Sequence, residues 1–468
     1  MNTILPFSGT EILPIDQVGG KALSLITMLK TGMPVPPGFV LTVSFFAPWI
    51  TALQATPQWQ AVQNSGREEL GQAAQALVSL CGNLQYTQAQ KEELGSALES
   101  FQSAQPVTLF AVRSSSPEED LAGASFAGGY ETTLGVTLEQ MEAAIIHSFA
   151  SSFEERVFLY KKEHGFSIDQ PRIAVIVQQQ IDADCAGVAF SLNPLNNCFD
   201  EAVINANFGL GESVVAGEAD PDVFVVDKID RKILEAHPGR KEVVVQLNSA
   251  GGTTRSSRVG DSQACLTPAQ VLELVDLLVR VENYYDRPVD IEWAISHQKL
   301  YLLQARPITT YLPLPEEMVT APGSPKHLYA DSTLIEQGVQ EPLSVLGADF
   351  LTYVLQQVSG PVGGDVIGID GVAFTAGGRY YIHLSNKIKM TGPKAPLAPG
   401  STGDESVLAI LDAIDLKQYL PKKLPKKLAA SRRKMIFTML PAFLPALKAT
   451  LGPEAFRQKY LEALPRQL

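Results

Sequence analysis

Four polar residues stand at alternating positions in two short apolar segments. Asp290 and Glu292 lie in the run Val289 to Ile295, and Gln304 and Arg306 in the run Leu300 to Pro307. Both runs have the length and the β-branched or aromatic content of strands, and a short polar connection joins them, so they read as a β-hairpin. Side chains alternate faces along a strand, so Asp290 and Glu292 share one face, and Gln304 and Arg306 share a face of the return strand. A three-residue loop, His297 to Lys299, sets Glu292 opposite Gln304 and Asp290 opposite Arg306. A two-residue loop sets them on opposite faces. In the first register, two carboxylates, an amide and a guanidinium converge. A carboxylate and an amide oxygen are hard ligands that suit Mg²⁺, and an Arg suits a phosphate. The alternative is a solvated hairpin with a cross-strand ion pair.

Further segments carry the same chemistry. Gly19-Gly20-Lys21 precedes the apolar-periodic stretch Ala22 to Lys30, which places backbone N–H groups and an ammonium where an anion would sit. It lacks the spacing of a P-loop, and a helix start with an incidental Lys is the favoured alternative. Arg113-Ser114-Ser115-Ser116 follows the apolar run Val107 to Val112 and offers a phosphate cradle or a turn that caps the next element. Ala124 to Thr132 holds the pair Gly128-Gly129 between aromatics, as a phosphate-closing flap or a tight hairpin would. Asn207-Phe208-Gly209-Leu210-Gly211 is Gly-rich without Rossmann spacing and reads as a structural turn. The six histidines, His147, His164, His237, His297, His327 and His383, read as surface or helix residues.

The elements that must position these groups follow from apolar patterning. Strands are expected at Gly38 to Thr42, Val107 to Val112, Ile173 to Gln180 and Gly187 to Ser191. Helices are expected at 22–30, over most of 44–104, at 138–163 and at 267–286, with further helix at 405–468. A Pro-rich stretch at 311–327 reads as part of a linker.

Composition limits the function classes. A chain of 468 residues with 45% hydrophobic and 19% charged content is that of a globular protein of several domains. No apolar run reaches the roughly 18 residues of a membrane helix. The four cysteines are widely separated, which indicates neither a zinc site nor a disulfide framework, and a cytoplasmic setting is expected. Residues 1–310 carry a net charge of −16 and residues 311–468 a net +3. The acidic part is a poor general binder of nucleic acid. Eight Lys or Arg between Lys417 and Lys434 read as a solvated helical face.

In their order, these segments resemble the N-terminal nucleotide-binding region of the phosphoenolpyruvate synthase, pyruvate phosphate dikinase and rifampicin phosphotransferase family. The matching stretches are Val18 to Ala22, Gly32 to Val40, Ala111 to Ser115, Glu119 to Gly128, Gly187 to Ser191 with Asn193-Pro194, Ala206 to Glu212, Asp290 to Ala294 and Leu303 to Ile308. The resemblance implies an α+β fold: a two-lobed ATP-grasp over 1–310, a linker over 311–330, and over 331–468 a partial, mixed α/β start of an acceptor-binding region. It implies that Lys21 and Arg113 bind phosphate and that Gly128, Gly129 and Thr132 belong to a phosphate-covering loop. It places Gln178, Gln179 and Ile181 at the adenine, Glu292 and Gln304 on Mg²⁺, and Arg306 on a phosphate. Its cofactors are ATP and Mg²⁺, and its partner a small-molecule phosphoryl acceptor. The family's phosphohistidine motif, of Thr-Ser-His-Ala type, has no counterpart in this sequence. The resemblance therefore implies an ATP-binding phosphotransferase component that phosphorylates a histidine on another domain or chain. An ATP-dependent ligase that phosphorylates its own substrate, or a non-catalytic nucleotide-binding subunit, are the alternatives.

Overall fold

The computed structural model describes the chain except residues 1–2, 10–12, 105–106, 119, 122–123, 126–130, 258–262, 309–313, 332–341, 364–365, 393–410, 412–413, 452–453, 455–457 and 459–468. The chain divides into two compact units, Met1–Leu312 and Pro313–Leu468.

The first unit is built on two antiparallel sheets. The first has five strands, in the spatial order Ile4–Pro6, Gly38–Leu41, Ala174–Gln179, Phe110–Ser115 and Thr132–Val136. The second has six, in the order Lys232–His237, Asp222–Asp227, Glu201–Phe208, Cys185–Phe190, Val289–Ser296 and Lys299–Pro307. Strands of the first sheet are apolar on both faces because each face is covered. Phe39, Leu41, Phe110, Val112, Val175 and Val177 point into one core, under the helices of residues 47–104 and 141–163. Val40, Ala174 and Ile176 point the other way, into a core shared with the second sheet and with helices Ile15–Lys30 and Pro268–Tyr285. Alternation therefore turns Arg113 and Ser115 away from Phe110 and Val112.

Local signals account for the helices of the shared core. Pro268–Tyr285 starts at a capping box, in which the Thr267 and Gln270 side chains each accept from the other's backbone N–H, and it ends at Asp286 in the left-handed region. Its Val271, Leu274, Val275, Leu278 and Val281 form the buried stripe. Two sequence expectations are corrected. The stretch expected as one helix at 138–163 is two, Met141–Ala150 and Glu155–Glu163, separated by a 3₁₀ turn at Ser151–Phe153. The helix expected from residue 22 begins earlier: Ile15–Lys30 is helical on both sides of a kink at Gly19.

That kink is imposed by the neighbouring strand end. Gly19 has φ 77° and ψ 164°, a conformation open only to glycine. A Cβ there would lie 2.3 Å from the Ser115 carbonyl oxygen. Cysteines far apart in sequence also come together: the neighbouring Cys185, with burial, pushes the Cys265 thiol up.

In the second unit, strands Tyr329–Asp331, Arg379–His383 and Ala373–Ala376 form an antiparallel sheet, in that order. Helices Val345–Gly363, Leu384–Thr391 and Lys426–Leu451 accompany it. Among the described residues no helix is long and apolar enough to cross a membrane.

Gly19→Ala is expected to destabilise the first unit by at least about 1–3 kcal/mol, through backbone strain plus the clash. Gly32 also has positive φ, but no neighbour lies within 4 Å of a carbon added there. Gly32→Ala is therefore expected to cost only the left-handed term of about 1–2 kcal/mol. Urea unfolding followed by Trp fluorescence reports this unit, since Trp49, Trp59 and Trp293 all lie in it. Equal costs for the two variants would refute the packing argument.

Candidate functional site

The hairpin reaches the productive pairing by a route the sequence analysis did not anticipate. Ser296 pairs with Lys299, so the connection has two residues, His297 and Gln298, both with positive φ. This is the tight turn expected to split the polar groups between faces. The register shifts by one between Glu292 and Trp293, however, and beyond the shift Glu292 faces Gln304 and Asp290 faces Arg306. The extra residue is Leu303. A β-bulge sets two residues against one and so restores the face that the short turn would have reversed. The expected loop is corrected, and the expected pairing is present.

The two faces of the hairpin differ sharply. Val289, Ile291, Trp293, Ile295, Leu300, Leu302 and Ala305 enter the shared core. The opposite face begins with a small apolar cluster of Ile181, Ala186 and Ala294 with Ala183, Tyr301 and Leu303. It continues into Glu292, Gln304, Asp290 and Arg306.

Arg113 crosses from the first sheet to this polar end. Its Nη1 donates to the Leu303 carbonyl at 2.7 Å. Its Nη2 donates to Gln304 Oε1 at 2.7 Å and to Glu292 Oε2 at 3.3 Å. The bulge explains the first contact, because an extra residue leaves the regular ladder and frees its carbonyl. Arg113 is 8% exposed, and its buried Nε has no hydrogen-bond partner. A charge in this setting is tolerated only when paired. Beside it, Arg306 Nε donates to both carboxylate oxygens of Asp290, at 2.9 and 2.8 Å. Burial nevertheless pushes the Asp290 carboxyl up, against the opposing pull of Arg306 and with a smaller upward push from Glu292.

The Gly-Gly-Lys and Arg-Ser-Ser-Ser segments, separate in sequence, interlock. Gly20 N donates to the Ser116 carbonyl at 3.1 Å and Ala22 N to Ser115 Oγ at 3.0 Å. Ser115 Oγ donates to the Val18 carbonyl, and Lys21 Nζ to the Ser114 carbonyl at 3.2 Å. Two of the N–H groups expected to face an anion are thus taken by the strand end, which corrects that reading. Lys21 is buried, and its ammonium meets the strand one residue beyond Arg113. About one turn further along the helix, Ser24 Oγ donates to the Ala305 carbonyl and meets Tyr285 Oη at 2.8 Å.

The remaining expected residues divide. Thr132 pairs with Arg113 at the edge of the first sheet and is exposed. Gly128 and Gly129 lie outside the described residues. Gln178 is buried and its amide donates to the Pro36 carbonyl at 2.9 Å, so its side chain ties its strand to the segment entering the next one. Gln179 N donates to the Pro37 carbonyl. Ile181 belongs to the apolar cluster of the hairpin face.

As metal donors, Glu292 and Gln304 present adjacent oxygens, and the guanidinium between them marks a point where positive charge is favoured. Two hard oxygens suit Mg²⁺, which completes its shell with water and phosphate. Among the described residues no group of three or more His, Cys, Asp and Glu is placed to hold a metal.

Sequence reasoning missed a cluster in the second unit. His327 and His383 were expected at the surface or on helices, yet their rings lie 5.0 Å apart, with Tyr329 4.7 Å from His383. His383 is 4% exposed and its Nδ1 accepts from Asn386 N, capping the following helix. Burial, with the neighbouring His327, lowers its pKa to about 4. The stability this neutral ring contributes is fully present above the unfolded value of 6.5 and is lost as the pH falls from there through about 4. A ¹H NMR titration is expected to find His383 neutral at pH 5.5, where an exposed histidine is mostly charged. A midpoint near 6.5 would contradict the burial argument.

Residues 15–321 match the family model described as the pyruvate phosphate dikinase AMP/ATP-binding domain. The chain is 34% identical to an uncharacterized phosphotransferase of Bacillus subtilis, over 72% of this chain and 39% of that protein. It is 32% identical to a probable phosphoenolpyruvate synthase of Methanocaldococcus jannaschii, over 63% and 26%. It is 29% identical to a rifampicin phosphotransferase of Bacillus subtilis, over 74% and 40%. Each alignment thus spans less than half of the relative's length. With its matched region covering the interlocked loops and the hairpin, the chain belongs to the family of the pyruvate phosphate dikinase AMP/ATP-binding domain.

Proposed function

We propose that the first unit binds MgATP on the polar face of the hairpin and serves as the ATP-binding component of a dikinase-type phosphotransferase. The observation that carries this reading is the grip of Arg113, on the first sheet, on Glu292 and Gln304, on the second. It gathers hard oxygens and a phosphate-binding cation in one place. The face beside it is graded from apolar at Ile181, Tyr301 and Leu303 to charged at Asp290 and Arg306. Such a gradient suits a nucleotide, with the base at the apolar end and the phosphates at the charged end.

In this reading Lys21, Arg113 and Arg306 hold the phosphates and stabilise the charge that develops as the phosphoryl group transfers. Asp290 fixes Arg306 by accepting from its Nε through both carboxylate oxygens. Gln179 and Ile181 border the base, and Thr132 lies toward the phosphates. Glu292 and Gln304 hold Mg²⁺, which supplies charge neutralisation on the phosphate oxygens. The phosphoryl group passes to a histidine of another domain or chain and from there to a small-molecule acceptor, with AMP and phosphate as the other products. The relatives named for phosphoenolpyruvate synthesis and rifampicin phosphorylation support this class of chemistry.

MgATP at 100 times its Kd is expected to stabilise the first unit by about 2.7 kcal/mol. Differential scanning fluorimetry reads this as a rise in Tm. Glu292→Ala is expected to remove most of the Mg²⁺-dependent part. Supplied with a domain carrying the phosphohistidine motif, the chain is expected to yield AMP and phosphate by ³¹P NMR. No Tm shift at millimolar MgATP refutes the site, and ADP as the product refutes the dikinase chemistry.

A further inference from the structure

Arg113 makes the same contacts that a divalent ion at Glu292 and Gln304 would need. Its Nη2 is 2.7 Å from Gln304 Oε1 and 3.3 Å from Glu292 Oε2. A guanidinium at these distances disfavours a metal ion on the same two oxygens, because both are cations and repel at close range. The grip is also incomplete from the side of the arginine. Nη1 and Nη2 are satisfied, while the buried Nε has no acceptor. A phosphate group offers acceptors enough to engage the whole guanidinium fork.

We propose that Arg113 and a divalent ion compete for Glu292 and Gln304, so that the site takes metal together with a polyphosphate and excludes the free ion. The polyphosphate draws Arg113 off the two oxygens as it brings the metal in. Glu292 lies on the accessible side, with about a quarter of its side chain exposed, so the exchange needs a swing of one side chain and no unfolding. The arginine stays anchored on strand Phe110–Ser115, opposite Thr132. The consequence is a selectivity rule. Abundant free divalent cations do not fill the site unproductively, and metal without nucleotide leaves the sheets held by Arg113. This inference rests on the MgATP reading above and adds the order in which the ligands bind.

The test uses the full chain and Mn²⁺ without nucleotide, with free Mn²⁺ read by electron paramagnetic resonance. The wild type is expected to bind free Mn²⁺ only weakly. Arg113→Met is expected to bind it about tenfold more tightly or better, the scale of one charge-assisted competitor removed. Adding Glu292→Gln to that variant is expected to abolish the gain, which separates this site from general binding to the acidic surface. Arg113→Gln, which removes the charge and keeps a polar side chain, carries the same expectation and covers a failure of the methionine variant to fold. Wild-type binding as tight as that of the variants overturns the competition, whichever of them folds. Loss of MgATP stabilisation in the wild type would instead remove the nucleotide site itself. Intact MgATP stabilisation with no gain of Mn²⁺ binding in the Arg113 variants removes only the competition.

Discussion

The first unit depends on one buried positive charge and on the three oxygens that meet it. Arg113 leaves a strand that is apolar at Phe110 and Val112 and is buried against the polar face of the hairpin. There it must be neutralised, since an unpaired buried charge costs several kcal/mol. Glu292 provides that neutralisation from the second sheet, and Gln304 and the Leu303 carbonyl accept further hydrogen bonds. The geometry of the two sheets is thereby coupled to the geometry of a polar site. A side chain that only stabilised the fold would be replaceable by an apolar residue, whereas this one aligns donors and acceptors that suit a phosphate and a metal.

Neighbouring contacts reinforce the same junction. Gly19 lets the helix start press against Ser115, which brings Lys21 to the strand end that carries Arg113. Ser24, on the same helix, bonds to the Ala305 carbonyl, between Gln304 and Arg306. One helix thus touches both sources of polar groups, and its apolar face is buried in the core shared by the two sheets. Burial of each large apolar side chain contributes about 1.5–3 kcal/mol, so the helix is firmly held and Lys21 has little freedom to drift.

Much of this was legible in the sequence, for reasons that differ from residue to residue. The strands around Val40 and Val177 read close to their bounds, because apolar runs of that length leave few alternatives. The strand expected at Val107 to Val112 instead lies three residues later, at Phe110–Ser115, and carries Arg113 to Ser115 within it. The sequence predicts the pairing of Glu292 with Gln304 only through a three-residue loop, which is not the turn present. A two-residue turn and a one-residue bulge cancel in register, and nothing local to the sequence announces a bulge at Leu303. The break at Ser151–Phe153 was invisible for a similar reason, since helix-compatible residues continue through it. Gln178 has the type and position of a base-reading side chain, yet its amide is spent on Pro36, a partner 142 residues away. The His327–His383 contact is likewise non-local. The assignment of Gln178, Gln179 and Ile181 to the adenine came from family resemblance and not from spacing.

The central claim is that one face of the hairpin holds nucleotide and metal, with Arg113 as the link between sheets. A crystal structure of the chain with Mg²⁺ and a non-hydrolysable ATP analogue tests it most directly. The account predicts metal density on Glu292 and Gln304, the base against Ile181 and Tyr301, and the Arg113 guanidinium on a phosphate. A nucleotide bound elsewhere, or a metal held without Glu292 and Gln304, would contradict it.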